Sequence, residues 1–349
     1  MDAEEEVASP SPDIDQKPPP PYLDLPTYKD EEFWFDDGTI ILVARDVEFR
    51  VYAGILAEVS PVLKDLFAKP DHPARTVSMP GELTIPCRVV QLTDSPEDLR
   101  YILRVYMPTL DFRCVHPFVP LGCVVLTRSG PSISSWKHPS FHMMSACIRL
   151  GLKYQITALS DQVLQRLKSA YPASVAEWDR VNAWIPTGFE AQHAIGVVNL
   201  ARLTGELSML PAAFLSCLYL GSGVVHGFAR EDGTRENLTL DDIGICIRGQ
   251  ATTREASLAG LLRILGVTPS PDCKGTCKVA LRNALRGLEE NVSSAMAVDA
   301  LLHTYRRLLP GDRKLCSACR EILDLQYKTE RKAFWRRLPE LLGIAVPNW

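Results

Sequence analysis

Ten cysteines are spread along this 349-residue chain, and four of them fall into two close pairs, Cys273-Lys274-Gly275-Thr276-Cys277 and Cys316-Ser317-Ala318-Cys319. Two short knuckles supply the four thiolates that a tetrahedral Zn2+ takes at about 2.3 Å, so structural zinc binding is the chemistry these residues could do. The competing reading is plainer. C-x3-C is a looser knuckle than C-x2-C, and reduced cysteine is commonly a small buried hydrophobe, which would leave the two pairs apart among Leu and Val. That reading is favoured on sequence alone. His303, between the pairs, is a substitute ligand.

Two further groups carry recognition chemistry. Lys328, Arg331, Lys332, Arg336 and Arg337 are interleaved with Phe334, Trp335 and Leu338. A basic amphipathic helix of this kind could touch nucleic acid, a membrane surface or an acidic segment, but the favoured reading is a solvated face over aromatics in the core. Pro19, Pro20 and Tyr22 fit the P-P-x-Y pattern that WW domains read from a polyproline II helix; a solvating proline-rich tail without a reader accounts for them equally simply and is preferred.

Catalytic signatures are absent from the sequence. It contains no G-x4-G-K-[ST] phosphate loop, no H-E-x-x-H and no G-x-S-x-G elbow. Gly221-Ser222-Gly223 with Gly227 misses the dinucleotide fingerprint by one residue and follows a helix-like run where a strand is required, so it reads as a helix-terminating loop. Asp241-Asp242 and Glu289-Glu290 read as capping or solvated charge. The expectation is a protein that is not an enzyme and binds no cofactor beyond the zinc considered above.

The elements that must position these residues follow from patterning. Residues 1–32 mix acid with PSP and KPPPPY and lack apolar periodicity, so they are expected to be a disordered tail. Order is expected from Phe33-Trp34-Phe35-Asp36-Asp37-Gly38 into a hairpin over Thr39–Val43 and Glu48–Tyr52. Helical spacing follows at Ile55, Leu56 and Val59. Ser60 serves as N-cap with Pro61 at the first position of a second helix, which carries Val62, Leu63, Leu66 and Phe67. Residues 69–86 read as a loop and 88–92 as a strand. Asp94 or Ser95 caps a helix carrying Leu99, Ile102, Leu103 and Tyr106. A helix pair over 143–152 and 156–167 has Ile148, Leu152, Leu159, Val163 and Leu167 as its stripe, with Lys153-Tyr154 at the junction. Beyond Gly188 the chain reads as mostly helical. Helices are expected around 195–207, 210–220, from Thr239, around 258–265, 278–287 and 298–309, and from about Cys316 to Leu338.

With 46% hydrophobic and 23% charged residues the composition suits a soluble chain of two domains. No apolar run reaches the roughly eighteen residues of a membrane span, and MDAEEEVASP is not a basic leader, so cytoplasm or nucleus, with reduced cysteines, is the expected location. The net charge of −4 conceals an acidic N-terminus and a mildly basic remainder. Without clustering on one surface, that basicity makes nucleic acid an unlikely partner.

Asp37, the run Phe49-Arg50-Val51-Tyr52-Ala53-Gly54-Ile55-Leu56, Ser60, Leu66-Phe67, Val89 to Leu92 and Arg149-Leu150-Gly151-Leu152-Lys153-Tyr154 occur in the order of the core motifs of BTB/POZ domains, which this segment resembles. FWFDDG and SPEDLRYIL are similar to the BTB proteins expanded in mushroom-forming fungi. Tyr52 stands where that family usually has His. The resemblance implies an α+β fold with a BTB/POZ-like domain over 33–172, interrupted by an insertion at about 108–140, and an α-helical C-terminal domain over 173–349. It also implies a protein-interaction adaptor or scaffold that binds proteins, through a BTB homo- or hetero-oligomer or a cullin-type ubiquitin ligase scaffold. A DNA-associated transcriptional regulator using the basic terminal helix is the alternative. The N-terminal exchange by which long BTB forms dimerise is disfavoured by the proline-rich segment.

Overall fold

The computed structural model describes residues 26–78, 84–107, 139–181, 185–273, 275–290, 292–296, 315–347 and 349. Strand β1, Tyr28–Trp34, begins inside the stretch 1–32 expected to be a disordered tail and corrects that expectation for residues 28–32. Its acidic residues are matched at long range. Buried Asp30 accepts the backbone N–H of Phe33 at 2.8 Å and Arg100 Nε at 2.7 Å, Glu32 pairs with Arg104 at 2.6 Å, and Phe33 enters the core.

The expected hairpin forms from β2, Ile40–Ala44, and β3, Val47–Val51, antiparallel with Ile40 opposite Val51 and Leu42 opposite Phe49. Alternate residues of β2 feed opposite faces: Ile40, Leu42 and Ala44 enter the main core, whereas Ile41 and Val43 join Cys87 and Val89 beneath Trp34 and Val77. Helices α1, Ala53–Val59, and α2, Pro61–Ala68, follow. The segment read as a loop contains β4, Ala74–Ser78, paired antiparallel with β5, Thr84–Leu92, which begins earlier than expected. A charge pair hidden from local sequence fastens β4, since Arg75 grips buried Glu48 at 2.7 and 2.9 Å and holds its carboxyl below the usual range. The sheet order is β1-β3-β2-β5-β4, with β1 parallel to β3 and β2 parallel to β5.

Helix α3, Pro96–Tyr106, is capped by Ser95, which accepts Asp98 N–H at 3.1 Å. Helices α4, Phe141–Lys153, and α5, Thr157–Ala170, form the closing pair. Leu152, expected in the apolar stripe, is 44% exposed; the buried face of α4 is instead Phe141, Met144, Cys147, Ile148 and Leu150. Ser140 caps α4, and the rest of the expected insertion, 108–138, lies outside the described residues.

One buried serine ties these helices together. Ser60 Oγ accepts Leu63 N–H at 3.0 Å, capping α2, and donates to the carbonyl of Tyr154 at 2.6 Å. Ser60→Ala removes a cap and strands a buried carbonyl, so it is expected to lower stability by about 2 kcal/mol. An unchanged urea midpoint would contradict this reading of the junction.

The second half is built from α6, Val175–Val181, α7, His193–Thr204, and α8, Leu210–Tyr219. Next come the short hairpin of β6, Phe228–Ala229, and β7, Arg235–Glu236, and the long helix α9, Leu240–Leu265. Thereafter stand α10, Thr276–Glu290, α11, Val292–Ala295, α12, Ser317–Arg336, and α13, Leu338–Leu342. Thr239 caps α9 by accepting Asp242 N–H at 3.1 Å, as its sequence suggests. The two helices expected within 240–265 are one, and the expected terminal helix divides at Arg337. The helix expected at 298–309 lies outside the described residues.

Apolar packing extends on both sides of residues 172–173. A single contiguous apolar cluster runs from Phe33 to Leu342. Phe141 of α4 stacks on His193 of α7 with ring centroids 4.7 Å apart and meets Phe228 edge-on at 5.6 Å. A polar seam reinforces this contact. Around the β6–β7 hairpin, Arg230 reaches Asp98 at 2.5 Å, Asp232 takes Arg45 at 2.8 Å, and Glu236 takes Arg149 at 2.6 Å. The architecture is mixed α+β.

Candidate metal centre

Helix α10 starts just after a tight reversal. The backbone turns at Ser270-Pro271-Asp272, passes Cys273, and reaches α10 through Gly275 at φ +90°, a left-handed value that glycine adopts without strain. Cys277 thereby sits in the first turn of α10. On the other side Cys316 occupies the N-cap of α12 in extended conformation, and Cys319 lies in its first turn. Both pairs are therefore knuckles that end at a helix N-terminus.

The structure brings the two knuckles together. The sulfurs of Cys273, Cys277, Cys316 and Cys319 all lie within 4.8 Å of one another. The reading that placed the pairs apart is overturned, because the apolar stripes of α10 and α12, which include Ala280, Leu281 and Leu323, share the core around α9 and draw both N-termini to one place. Four ligand atoms on a tetrahedron around one Zn2+ would stand about 3.8 Å apart, within the reach of this cluster.

Backbone donors surround the sulfurs. Ser270 N–H donates to Cys319 Sγ at 3.3 Å, and Cys316 N–H donates to Cys277 Sγ at 3.2 Å. The backbone N–H groups of Gly275 and Cys277 draw the Cys273 thiol down to about 7, whereas burial pushes Cys319 up to about 12. Cys277 and Cys319 are buried, and Cys273 and Cys316 are partly open to solvent. Chemically the cluster can hold one soft divalent cation with sulfur ligands alone.

The other cysteines in the described residues behave differently. Cys87, Cys147, Cys217 and Cys246 are buried and free, and burial pushes the Cys147 thiol up to about 12. These are the small hydrophobes the sequence allowed.

The remaining candidate residues divide. Phe334, Trp335 and Leu338 are buried, with Trp335 Nε1 donating to Ala173 O at 2.6 Å, while Arg331 pairs with Asp179 and Arg337 with Glu340. Lys328, Lys332 and Arg336 stay exposed. Gly221, at φ +56°, terminates α8 and opens a 3-10 turn over Gly221–Val225. Tyr52 hydroxyl donates to Asp37 at 2.6 Å across the mouth of the hairpin. Pro19, Pro20, Tyr22 and His303 lie outside the described residues. Sequence reasoning missed the β6–β7 hairpin, whose only local sign was Gly233 within a charged loop. No protein-family model matches the chain, and no curated protein matches it.

Proposed function

We propose that the chain is a protein-interaction adaptor or scaffold of the BTB/POZ type, acting in cytoplasm or nucleus and linking a target to a partner such as a cullin-type ubiquitin ligase scaffold. One observation carries the reading. The short motifs that resemble the family occupy, in chain order, the β2–β3 hairpin, the α1–α2 pair joined at Ser60, the β5 strand parallel to β2, then α3 and the α4–α5 pair closed at Tyr154, with β4 between α2 and β5. Tyr154 hydroxyl donates to Asp94, and Lys153 pairs with the same carboxylate at 2.5 Å, so the K-Y motif ties the closing pair to the turn between β5 and α3. Among the described residues no helix is long and apolar enough to cross a membrane.

The test is affinity purification of the tagged full chain at physiological salt, with quantification of retained proteins. A cullin-type scaffold or a BTB partner in stoichiometric amount is the expected result. Retention on duplex DNA that falls steeply with salt, with no protein retained, would instead favour the regulator reading through Lys328, Lys332 and Arg336.

A further inference from the structure

We infer that Cys273, Cys277, Cys316 and Cys319 form a structural Zn2+ site, a tetrathiolate staple that joins the N-terminus of α10 to that of α12. The inference rests on these four residues and stands or falls independently of the adaptor reading.

Three observations carry it. The four sulfurs converge within 4.8 Å of one another, from two knuckles far apart in sequence. A pair of sulfurs meets by chance or as a disulfide, but four in one cluster repeat the closed geometry of a structural site, which leaves no position for water or substrate. Secondly, the donors around the cluster are those that a thiolate accepts: Ser270 N–H to Cys319 and Cys316 N–H to Cys277, at 3.3 and 3.2 Å. A tetrathiolate zinc carries a net negative charge, and these backbone N–H groups, one in the turn before α10 and one at the N-cap of α12, offset it. Thirdly, burial is graded. Cys277 is 0% and Cys319 4% exposed, while Cys273 and Cys316 are partly open, so the ion would sit at the rim of the core with an entry path.

Ligand chemistry selects the metal. All-sulfur donors disfavour Mg2+ and Ca2+, which take oxygen, and a tetrahedral sulfur set leaves zinc or iron. The compactness of the cluster suits one ion rather than a two-iron cluster, which divides its thiolates between metals. Binding replaces the S–H protons with S–Zn bonds and releases them to solvent, without any change of oxidation state.

The function of such a site is mechanical. Among the described residues α12 contacts the body through Leu323, Phe334 and Trp335, and α10 through Leu281, Ala284 and Leu288, so the ion would close the end of this layer where the apolar stripes begin.

The experiment uses the full chain purified under reducing conditions without chelator. Elemental analysis should give one Zn2+ per chain, and replacement with Co2+ should give the visible bands of tetrahedral cobalt together with sulfur-to-cobalt charge transfer. Removal of metal by a strong chelator should lower the melting temperature by about 10 °C or more, reversibly on adding Zn2+. Cys273→Ser, at the more open position, keeps the core and should lose the zinc or the tetrathiolate spectrum while leaving a folded chain. Four outcomes would overturn the proposal: zinc content near zero, cobalt spectra without the thiolate band, a red iron-loaded protein, or an intact mass that shows two disulfides.

Discussion

Acidification from pH 6.5 to pH 4 should remove about 3 kcal/mol of stability through His193 alone. Its ring is 4% exposed, stacked on Phe141 and set edge-on to Phe228, and its Nδ1 accepts Glu190 N–H at 2.9 Å. Burial, and then the neighbouring His142, push its pKa down to about 4 from the ordinary 6.5. In the unfolded chain the imidazole takes a proton below pH 6.5, while in the folded chain it stays neutral until about pH 4. The contribution is therefore complete above pH 6.5 and is lost as pH falls through that window, at about 1.4 kcal/mol per unit. Other groups titrate over the same range, including Asp98, whose carboxyl burial raises despite Arg230 beside it. The measurement is thus a difference: urea unfolding of wild type and His193→Gln at pH 7 and pH 4. The glutamine carbonyl can replace the Nδ1 acceptor but does not titrate. The stability gap between the two proteins should narrow by about 3 kcal/mol on acidification, and a gap independent of pH would refute the assignment.

Gly196→Ala should be destabilising by about 3 kcal/mol, an uncommonly large effect for one methyl group. A Cβ on Gly196 would stand 2.2 Å from Phe141 Cζ and 3.1 Å from Phe228 Cζ. The Phe141 ring cannot retreat, since Phe189, His193 and Phe228 enclose it with centroids 4.7 to 5.6 Å away. Gly54→Ala provides the control. Nothing lies within 4 Å of a Cβ there, so it should be neutral or stabilise by up to about 1 kcal/mol. Comparable urea midpoints for the two variants would mean that the α4–α7 junction is looser than these contacts require.

The residues that announced themselves in the sequence were those with local signals. Ser60 and Ser95, each followed by proline, and Thr239 before Asp242 mark helix starts because the cap and its N–H partner are three residues apart. The β2–β3 hairpin was legible from alternation. What stayed hidden depends on partners distant in the chain. Strand β1 reads as solvated acid until Arg100 and Arg104 arrive from α3, and β4 lacks an apolar run because Glu48 holds it through Arg75. Helix α9 reads in the sequence as two helices, one from Thr239 and one around 258–265; in the single helix that forms, Thr253 Oγ1 bonds Gly249 O, and Gly249 lets Leu342 approach to where a Cβ would be 2.7 Å away. The cysteine pairs were visible as pairs. Their convergence was not, because it follows from how α10 and α12 lie on α9.

The order of the sheet bears on how the protein resists self-association. A strand at a sheet rim offers unpaired backbone groups that another molecule can copy, and flat apolar rims seed aggregates. Here the chain fills the position beside β3 with its own β1, whose outward residues include Lys29 and Glu31, and ends the opposite rim with the five-residue β4 carrying exposed Arg75. The β1 rim presents charge that a second copy would have to strip of water before pairing, and the β4 rim is short, its Arg75 paired with Glu48. Strand-by-strand growth between molecules is thereby disfavoured at both ends of the sheet, and encounters between copies are directed toward their helical surfaces.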